Sequence, residues 1–194
     1  MMILASGSAI RAQLLRQAGV AFAQIPARVD EEAVKESLRG EAVERVPEVL
    51  AEMKALRVSQ SHPDALVVGA DQILAFEGAV ISKSETLDQA RALLRRLRGK
   101  EHQLIGGTVL AKGGQVIWRH LARSRLWLRA FSDAFLENYL ASEGQEALQS
   151  VGCYRLEGPG VQLFARIEGD YFSILGLPLL PLLAALREQG VGTI

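Results

Sequence analysis

The sequence predicts a mixed α/β fold in which helices flank a central sheet and two lobes surround a cleft. Strand and helix patterns alternate along the 194 residues, with no internal repeat and no low-complexity linker. Residues 103–112 and 115–129 form two long strand patterns joined by Gly113-Gly114, a dipeptide typical of two-residue hairpin turns. We therefore expect residues 1–194 to form one domain with a hairpin-rich second lobe and a ligand cleft.

The first elements are a short strand and a helix. Ile3-Leu4 predicts the strand, and apolar spacing predicts the helix from Ala9 to Ala18, with Ser8 as its N-cap and Gly19 as its stop. The N–H groups at such a helix start attract anions, and Arg11 adds a cation in the first turn. This arrangement predicts a phosphate site, although a purely structural cap is the alternative reading of Ser8.

The middle of the chain follows the same alternation. An acidic loop is expected at residues 30–32, and a helix at 47–58 that buries Val46, Leu50 and Met53 and leaves Lys54 just off that face. Strands are expected at 66–76 and 79–81, and a helix at 87–98. The C-terminal third predicts a helix capped by Ser132, strands at 162–168 and 171–175, and a last helix at 178–189.

Asp71 stands inside the apolar run of residues 66–76, where a buried strand would carry only hydrophobic side chains. A carboxylate removed from water costs several kcal/mol, about 3 or more, unless a cation, a metal or hydrogen-bond donors compensate it. Two interpretations are open. Either the strand ends at Ala70 and Asp71 is solvated, or Asp71 is buried in a functional site.

Composition limits the class of protein. The formal net charge is zero and the pI is near 6.9, which gives no electrostatic basis for binding polymeric nucleic acid. Cys153 is the only cysteine and the three histidines are scattered, so no Cys/His metal spacing is present. The sequence shows no leader peptide and no apolar stretch of spanning length, so we expect a cytoplasmic protein without a membrane partner.

Several separated blocks, in order, resemble the Maf-like nucleotide pyrophosphatases, also called septum formation inhibitor-like proteins. The resemblance covers the chain from Ile3 to about Leu186. Its N-terminal blocks are Leu4-Ala5-Ser6-Gly7-Ser8 with Arg11, Val29-Asp30-Glu31, Glu52-Met53-Lys54-Ala55, Gly69-Ala70-Asp71 and Lys83. Its C-terminal blocks are Gly152 to Gly158, Ile167 to Tyr171 and Leu175-Gly176-Leu177-Pro178.

The resemblance implies a fold like that of inosine triphosphate pyrophosphatase. It also implies hydrolysis of a nucleoside triphosphate between the α and β phosphates, which removes modified nucleotides from the pool, with a link to septum formation. It makes Asp71 the general base, and it makes Glu31 and Asp71 ligands of Mg²⁺ or Mn²⁺. Its phosphate-binding residues would be Ser6, Ser8, Arg11, Lys54 and Lys83, and Gln72 and Glu157 would face the base.

The same roles suit the chemistry of the residues. Phosphoanhydride hydrolysis needs an oriented water, cations on the phosphates and usually a divalent metal with oxygen ligands. Each residue also has a non-functional interpretation. A glutamate or lysine such as Glu31, Lys54 or Lys83, taken by itself, is usually a solvated surface side chain.

The chain departs from the family pattern at several positions. Ala9-Ile10 replaces the usual Pro followed by Arg or Trp, and Ser84 replaces the proline after Lys83. Gln72 replaces a frequent threonine, and Gln72 with Glu157 is typical of the branch acting on 7-methyl-GTP. Guanine presents two adjacent N–H donors that a carboxylate can accept, which agrees with this assignment.

Three alternatives remain open. They are a dTTP or UTP pyrophosphatase, a nucleotide-binding regulator of cell division with weak catalysis, and an interaction protein acting on division partners. A homodimer is one possible assembly. An interaction protein should carry a large exposed apolar patch, and the sequence shows none that core helices could not absorb.

Overall fold

The computed structural model of the chain describes residues 1–191. It contains a seven-stranded mixed sheet with the strand order β2-β1-β3-β5-β6-β7, and β4 pairs with β3. The strands are β1 Met2–Leu4, β2 Ala23–Gln24, β3 Leu66–Phe76, β4 Ala79–Ile81, β5 Glu101–Lys112, β6 Gln115–Leu128 and β7 Phe164–Glu168. The helices are α1 Ala9–Gln17, α2 Glu31–Ser37, α3 Arg45–Ser61, α4 Leu87–Leu97, α5 Asp133–Glu143, α6 Tyr171–Ile174 and α7 Leu179–Glu188, with 3₁₀ helices at Gly144–Gln149 and Pro159–Leu163. The predicted α/β class is confirmed.

Strand β1 lies parallel between β2 and β3, whereas the β3–β4 and β6–β7 pairs are antiparallel. A strand with parallel neighbours is usually covered on both faces, which explains why every residue of β1 is buried and why β3 is buried almost throughout. The glycines of the predicted hairpin turn, Gly113 and Gly114, both have positive φ and join β5 to β6.

Two compact units divide the chain. The first contains Met1–Gln72, Ile105–Ala122 and residues 170–191, and the second contains Ile73–Leu104 and Arg123–Gly169. The tip of the long hairpin therefore belongs to the first unit rather than to a hairpin-rich second lobe. The predicted cleft between two lobes stays a prediction. In the part of the chain that the structure describes, no helix has the length and apolar character needed to cross a membrane.

Two glycines bring α3 of the first unit into direct contact with the sheet. A Cβ added at Gly69 in β3 would lie 2.3 Å from the Ala51 carbonyl oxygen, and one added at Gly107 in β5 would lie 2.4 Å from the Pro47 carbonyl oxygen. Side chains at these two positions would hold the helix away from the strands. The glycines therefore set the short distance between α3 and the residues of β3.

Three local predictions were wrong. Residues 30–32 are not a loop, because Asp30 accepts a hydrogen bond from the Ala33 amide and caps α2. Residues 171–175 are not a strand, because the Asp170 carboxylate accepts from the Ser173 amide and starts the one-turn helix α6. In α3, Met53 is 41% exposed, whereas Lys54 is only 8% exposed.

The second unit buries a histidine that makes a short hydrogen bond. His102 Nε2 lies 2.6 Å from the Tyr154 hydroxyl, and His102 Nδ1 has no hydrogen-bond partner among the described residues. Burial lowers the pKa of His102 to about 4, and the nearby charge of Glu101 offsets only part of that effect. His102 is therefore neutral at pH 7 in the folded protein.

We expect acid to destabilise the protein through His102. The unfolded state binds a proton below pH 6.5, the ordinary His value, but the folded state binds it only near pH 4, so the free energy of unfolding falls between these values. The decrease in the free energy of unfolding that is due to His102 should reach about 3 kcal/mol. Urea unfolding from about pH 7 to about pH 4.5 measures it. His102→Gln should flatten the dependence and His62→Gln should not; an equal slope in wild type and His102→Gln would contradict the assignment.

Candidate active site

The turn between β1 and α1 is held together by its two serines. The Ser8 hydroxyl accepts from the Arg11 amide at 3.4 Å, which confirms Ser8 as the N-cap. The Ser6 hydroxyl accepts from the Ser8 amide and from Arg11 Nη1, each at 3.2 Å. Gln24 Nε2 donates to the Ser6 carbonyl oxygen at 2.9 Å. Small side chains and internal hydrogen bonds thus fix this turn at the start of a helix.

Arg11 connects three segments of the first unit. Its Nε donates to the Gly176 carbonyl oxygen at 2.8 Å, and its Nη1 donates to the Ala70 carbonyl oxygen at 2.9 Å as well as to Ser6. Burial lowers the pKa of Arg11, and the carboxylates of Asp71 and Glu31 oppose that effect, so the guanidinium remains a cation. Within residues 1–191, Nη2 makes no hydrogen bond and is the donor left for a ligand.

Asp71 is buried and paired. Strand β3 continues past Ala70 to Phe76, so the interpretation of a solvated Asp71 at a strand end is wrong. The side chain belongs to a residue only 7% exposed, and its Oδ1 accepts from Lys54 Nζ at 2.7 Å. The sequence left a cation, a metal or hydrogen-bond donors open as the compensation for this carboxylate, and the structure shows that Lys54 is a cation beside it.

Glu31 completes a cluster around the same ammonium group. Its Oε1 lies 2.6 Å from Lys54 Nζ, so Lys54 bridges the carboxylates of Glu31 and Asp71. Glu31 is the first residue of α2, Lys54 is on α3 and Asp71 is in β3. Three elements that are distant in sequence therefore place one cation between two anions.

The two carboxylates differ in proton affinity. Burial raises the pKa of Asp71, and the charges of Lys54 and Arg11 offset only part of this rise. For Glu31, partial burial alone would raise the pKa, but the hydrogen bond and charge of Lys54 together with Lys35 and Arg11 lower it overall. A pair of acids with pKa values moved apart suits different roles, with Asp71 the better proton acceptor and Glu31 the permanent anion.

Glu31 and Asp71 are the two carboxylates of this cluster that could contribute ligands to a divalent cation. One oxygen of each carboxylate lies within 2.7 Å of the Lys54 ammonium nitrogen, so a metal ion bound by both residues would use their other oxygens or replace this contact. Mg²⁺ commonly takes one or two carboxylates and completes its shell with water and substrate phosphates. Among residues 1–191, no group of three or more His, Cys, Asp or Glu residues is placed to hold a metal ion.

Gln72 contacts the backbone of the first unit. Its Nε2 donates to the Ser173 carbonyl oxygen at 2.8 Å and to the Ile174 carbonyl oxygen at 3.3 Å. Its amide donors are thus engaged, and the Oε1 acceptor is the atom that could meet a base. The segment formed by α6 and Gly176 binds both Gln72 and Arg11, a role for its carbonyl groups that no side-chain pattern in the sequence could have revealed.

Lys83 and Glu157 belong to the second unit. Lys83 lines an open pocket of about 610 Å³ in that unit, and Glu157 Oε1 accepts from Arg155 Nε at 3.3 Å. Their convergence with the cluster of the first unit stays a prediction. The structure thus brings Ser6, Ser8, Arg11, Glu31, Lys54, Asp71 and Gln72 together in one unit through hydrogen bonds and shared elements.

Comparison with known proteins gives consistent matches over the full chain. The family model described as "Maf-like protein" matches residues 1–189. A protein of Granulibacter bethesdensis named nucleoside triphosphate pyrophosphatase is 51% identical over 100% of this chain and 99% of its own. One of the same name from Paramagnetospirillum magneticum is 50% identical, covering 97% of this chain and 98% of its own. A protein of Brucella abortus named 7-methyl-GTP pyrophosphatase is 44% identical, covering 97% and 96%. The chain belongs to the Maf-like protein family.

Proposed function

We propose that the protein is a nucleoside triphosphate pyrophosphatase that cleaves the α–β phosphoanhydride and releases a nucleoside monophosphate and pyrophosphate. The observation that carries the proposal is the buried Asp71 carboxylate, paired with Lys54 and lying beside the Arg11 cation. The names of the relatives support the same activity. A buried base among cations is what hydrolysis of an anionic substrate requires.

In this proposal the residues of the first unit have different roles in catalysis. Asp71 takes a proton from the attacking water while the new P–O bond forms and the α–β bridging bond breaks. Its raised pKa makes it a stronger base than an exposed aspartate. Arg11 and Lys54 stabilise the negative charge on the phosphates, together with Lys83 of the second unit. Ser6 and Ser8 hold the turn at the start of α1, where the helix N–H groups would attract the phosphates.

We assign Mg²⁺ or Mn²⁺ as the cofactor, with Glu31 and Asp71 as its protein ligands. A bound divalent ion would polarise the phosphoryl oxygens and lower the pKa of a coordinated water. The lowered pKa of Glu31 supports this role, because a permanent carboxylate is the form that binds a cation. Removal of the ion with a chelator should stop pyrophosphate release.

We assign modified purine nucleotides, with 7-methyl-GTP favoured, as the substrate class. Glu157 offers carboxylate oxygens to the N–H donors of guanine, and the positive charge of a methylated N7 favours a nearby anion. Gln72, whose donors are engaged, retains only its carbonyl oxygen as an acceptor. The name of the Brucella relative, at 44% identity, supports this class. In this view the enzyme cleanses the nucleotide pool of the cytoplasm.

A nucleotide panel with pyrophosphate detection tests the proposal. We expect kcat/KM for 7-methyl-GTP to exceed that for dTTP and UTP. Glu157→Gln should lower the ratio of these two kcat/KM values about tenfold, because the amide presents a donor where the carboxylate presents an acceptor. Glu146→Gln is the control, since Glu146 also accepts from Arg155 but is not assigned to the base. Higher kcat/KM for the pyrimidine nucleotides would overturn the substrate class and favour the dTTP/UTP alternative.

The same panel tests the alternative function of a nucleotide-binding regulator with weak catalysis. This alternative is worth testing because Ile10 stands where the family usually has Arg or Trp. If the protein bound nucleotides but released no pyrophosphate with any of the divalent metals tested, the result would favour the regulator over the enzyme.

A further inference from the structure

One short segment of the first unit holds two residues of the site through its backbone. The segment is residues 170–176, which begins one residue before α6. Its Ser173 carbonyl oxygen accepts from Gln72 Nε2 at 2.8 Å, and its Gly176 carbonyl oxygen accepts from Arg11 Nε at 2.8 Å. In the proposed function, Gln72 faces the base and Arg11 binds the phosphates. The segment therefore contacts a residue assigned to each end of the substrate.

These contacts fix the direction of both side chains. A carbonyl oxygen can only accept hydrogen bonds, so the amide nitrogen of Gln72 must face the segment and its Oε1 must face away. Arg11 donates from Nε to Gly176 and from Nη1 to the Ala70 carbonyl oxygen, and these two bonds fix the plane of the guanidinium. A shift of the segment would turn the Gln72 amide and the Arg11 guanidinium together.

Asp170 fixes the conformation of α6. Its Oδ2 accepts from the Ser173 amide and from the Ser173 hydroxyl, each at 2.7 Å. A single helical turn has little stability of its own, so a cap of this kind decides whether the turn forms. The Gly176 amide donates at 3.0 Å to the Ser173 carbonyl oxygen, which also accepts from Gln72. Loss of the Asp170 cap should therefore move the oxygen that Gln72 binds.

Gly176 allows Arg11 to approach the segment closely. The φ of Gly176 is +104°, a conformation that residues with side chains rarely adopt. A Cβ added there would lie 3.3 Å from Arg11 Nε and 3.6 Å from Arg11 Nη2. Any side chain at this position would press on the guanidinium and weaken its bond to the Gly176 carbonyl oxygen.

We propose that Asp170 and Gly176 are positioning residues for substrate recognition, which align Gln72 with the base and Arg11 with the phosphates. The inference rests on the proposed function, which assigns these two contacts, and it extends that function to residues that act through others. Because one turn carries both carbonyl groups, the two alignments depend on each other. The alternative is a cap that only stabilises the fold, and it predicts a loss of stability without a change in substrate recognition.

Steady-state kinetics on a panel of nucleotides tests the role of Asp170. Asp170→Ala should raise KM about tenfold for the nucleotide that the wild type hydrolyses best, and reduce the preference among bases, because misplaced contacts weaken recognition. Asp170→Asn should restore both values, since one amide oxygen can accept the two bonds that Oδ2 accepts.

Ser132→Ala is the control for Asp170→Ala. It removes the corresponding cap of α5, where the Ser132 hydroxyl accepts from the Phe135 amide at 3.1 Å, and it should lower stability without changing KM or the base preference. The same KM and base preference in wild type and Asp170→Ala would overturn the positioning role of Asp170, even if the variant were less stable.

Calorimetric titration with inorganic triphosphate tests the role of Gly176 without turnover. Gly176→Ala should weaken binding about tenfold, because the new methyl carbon displaces the Arg11 guanidinium. Gly190→Ala is the matched control: Gly190 also has a positive φ, +73°, but a Cβ there would have no neighbour among the described residues within 4 Å. Equal binding by the two variants, or no binding to the wild type, would overturn the positioning role of Gly176.

The two tests separate this inference from the proposed function. Normal pyrophosphate release by the wild type, with recognition unaffected by Asp170→Ala and triphosphate binding unaffected by Gly176→Ala, defeats only the positioning roles. Binding of triphosphate that Gly176→Ala weakens, without turnover of any nucleotide by the wild type, defeats only the enzyme.

Discussion

Asp71→Asn is expected to lower kcat by about a thousandfold and leave the fold intact. Asparagine keeps the shape of the side chain but cannot accept a proton at neutral pH, and positioned bases contribute about 10² to 10⁴ in rate. The neutral amide can still accept the hydrogen bond from Lys54, which lies 2.7 Å from Asp71 Oδ1. The thermal unfolding midpoint should therefore change far less than the rate.

Pyrophosphate release with saturating nucleotide and Mg²⁺ measures this effect, and thermal unfolding monitors the fold. Asp64→Asn is the control, since Asp64 is an exposed residue in the same unit. The pH profile adds a second measurement, because burial raises the pKa of Asp71 and the wild-type kcat/KM should fall on the acid side as this group takes up a proton. Near-normal kcat in Asp71→Asn would remove Asp71 from the role of base.

The sequence predicted those parts of the site that local patterns encode. Ser8 caps α1 because a hydroxyl before an apolar-periodic segment reaches the amides of the first turn. For Asp71 the apolar run left a buried and a solvated position as two interpretations, and the continuation of β3 to Phe76 decides for the buried one. The burial of Lys54 could not be predicted in this way, because it depends on ion pairs with Glu31 and Asp71, which lie on other elements.

The errors have the same origin. Helix α3 buries pairs of residues spaced four apart, namely Val46 and Pro47, Leu50 and Ala51, Lys54 and Ala55, and Val58 and Ser59. Hydrophobicity alone favours Met53 over Lys54 for this stripe, but two carboxylates offset the cost of burying the ammonium group. Similarly, the aromatic residues after Asp170 favour a strand, and a single capping carboxylate decides for a helical turn.

The close contact between β3 and α3 predicts that Gly69→Ala will destabilise the protein strongly. The new methyl carbon would lie 2.3 Å from the Ala51 carbonyl oxygen and 2.6 Å from the Ala55 amide nitrogen, both backbone atoms that cannot rotate away. The helix must move outward, so we expect the free energy of unfolding to fall by about 3 kcal/mol or more. Because Lys54 precedes Ala55 on this helix, the same shift should lengthen the contact between Lys54 and Asp71.

Urea unfolding and kcat measured on the same preparations test both consequences. Gly106→Ala is the matched control, because a Cβ at that position in β5 would have its nearest neighbour at 3.7 Å, an ordinary contact. Gly107→Ala should resemble Gly69→Ala in stability, since its Cβ would lie 2.4 Å from the Pro47 carbonyl oxygen of the same helix. If Gly69→Ala unfolded like Gly106→Ala and kept its kcat, the packing of α3 against β3 would not be what places Lys54 beside Asp71.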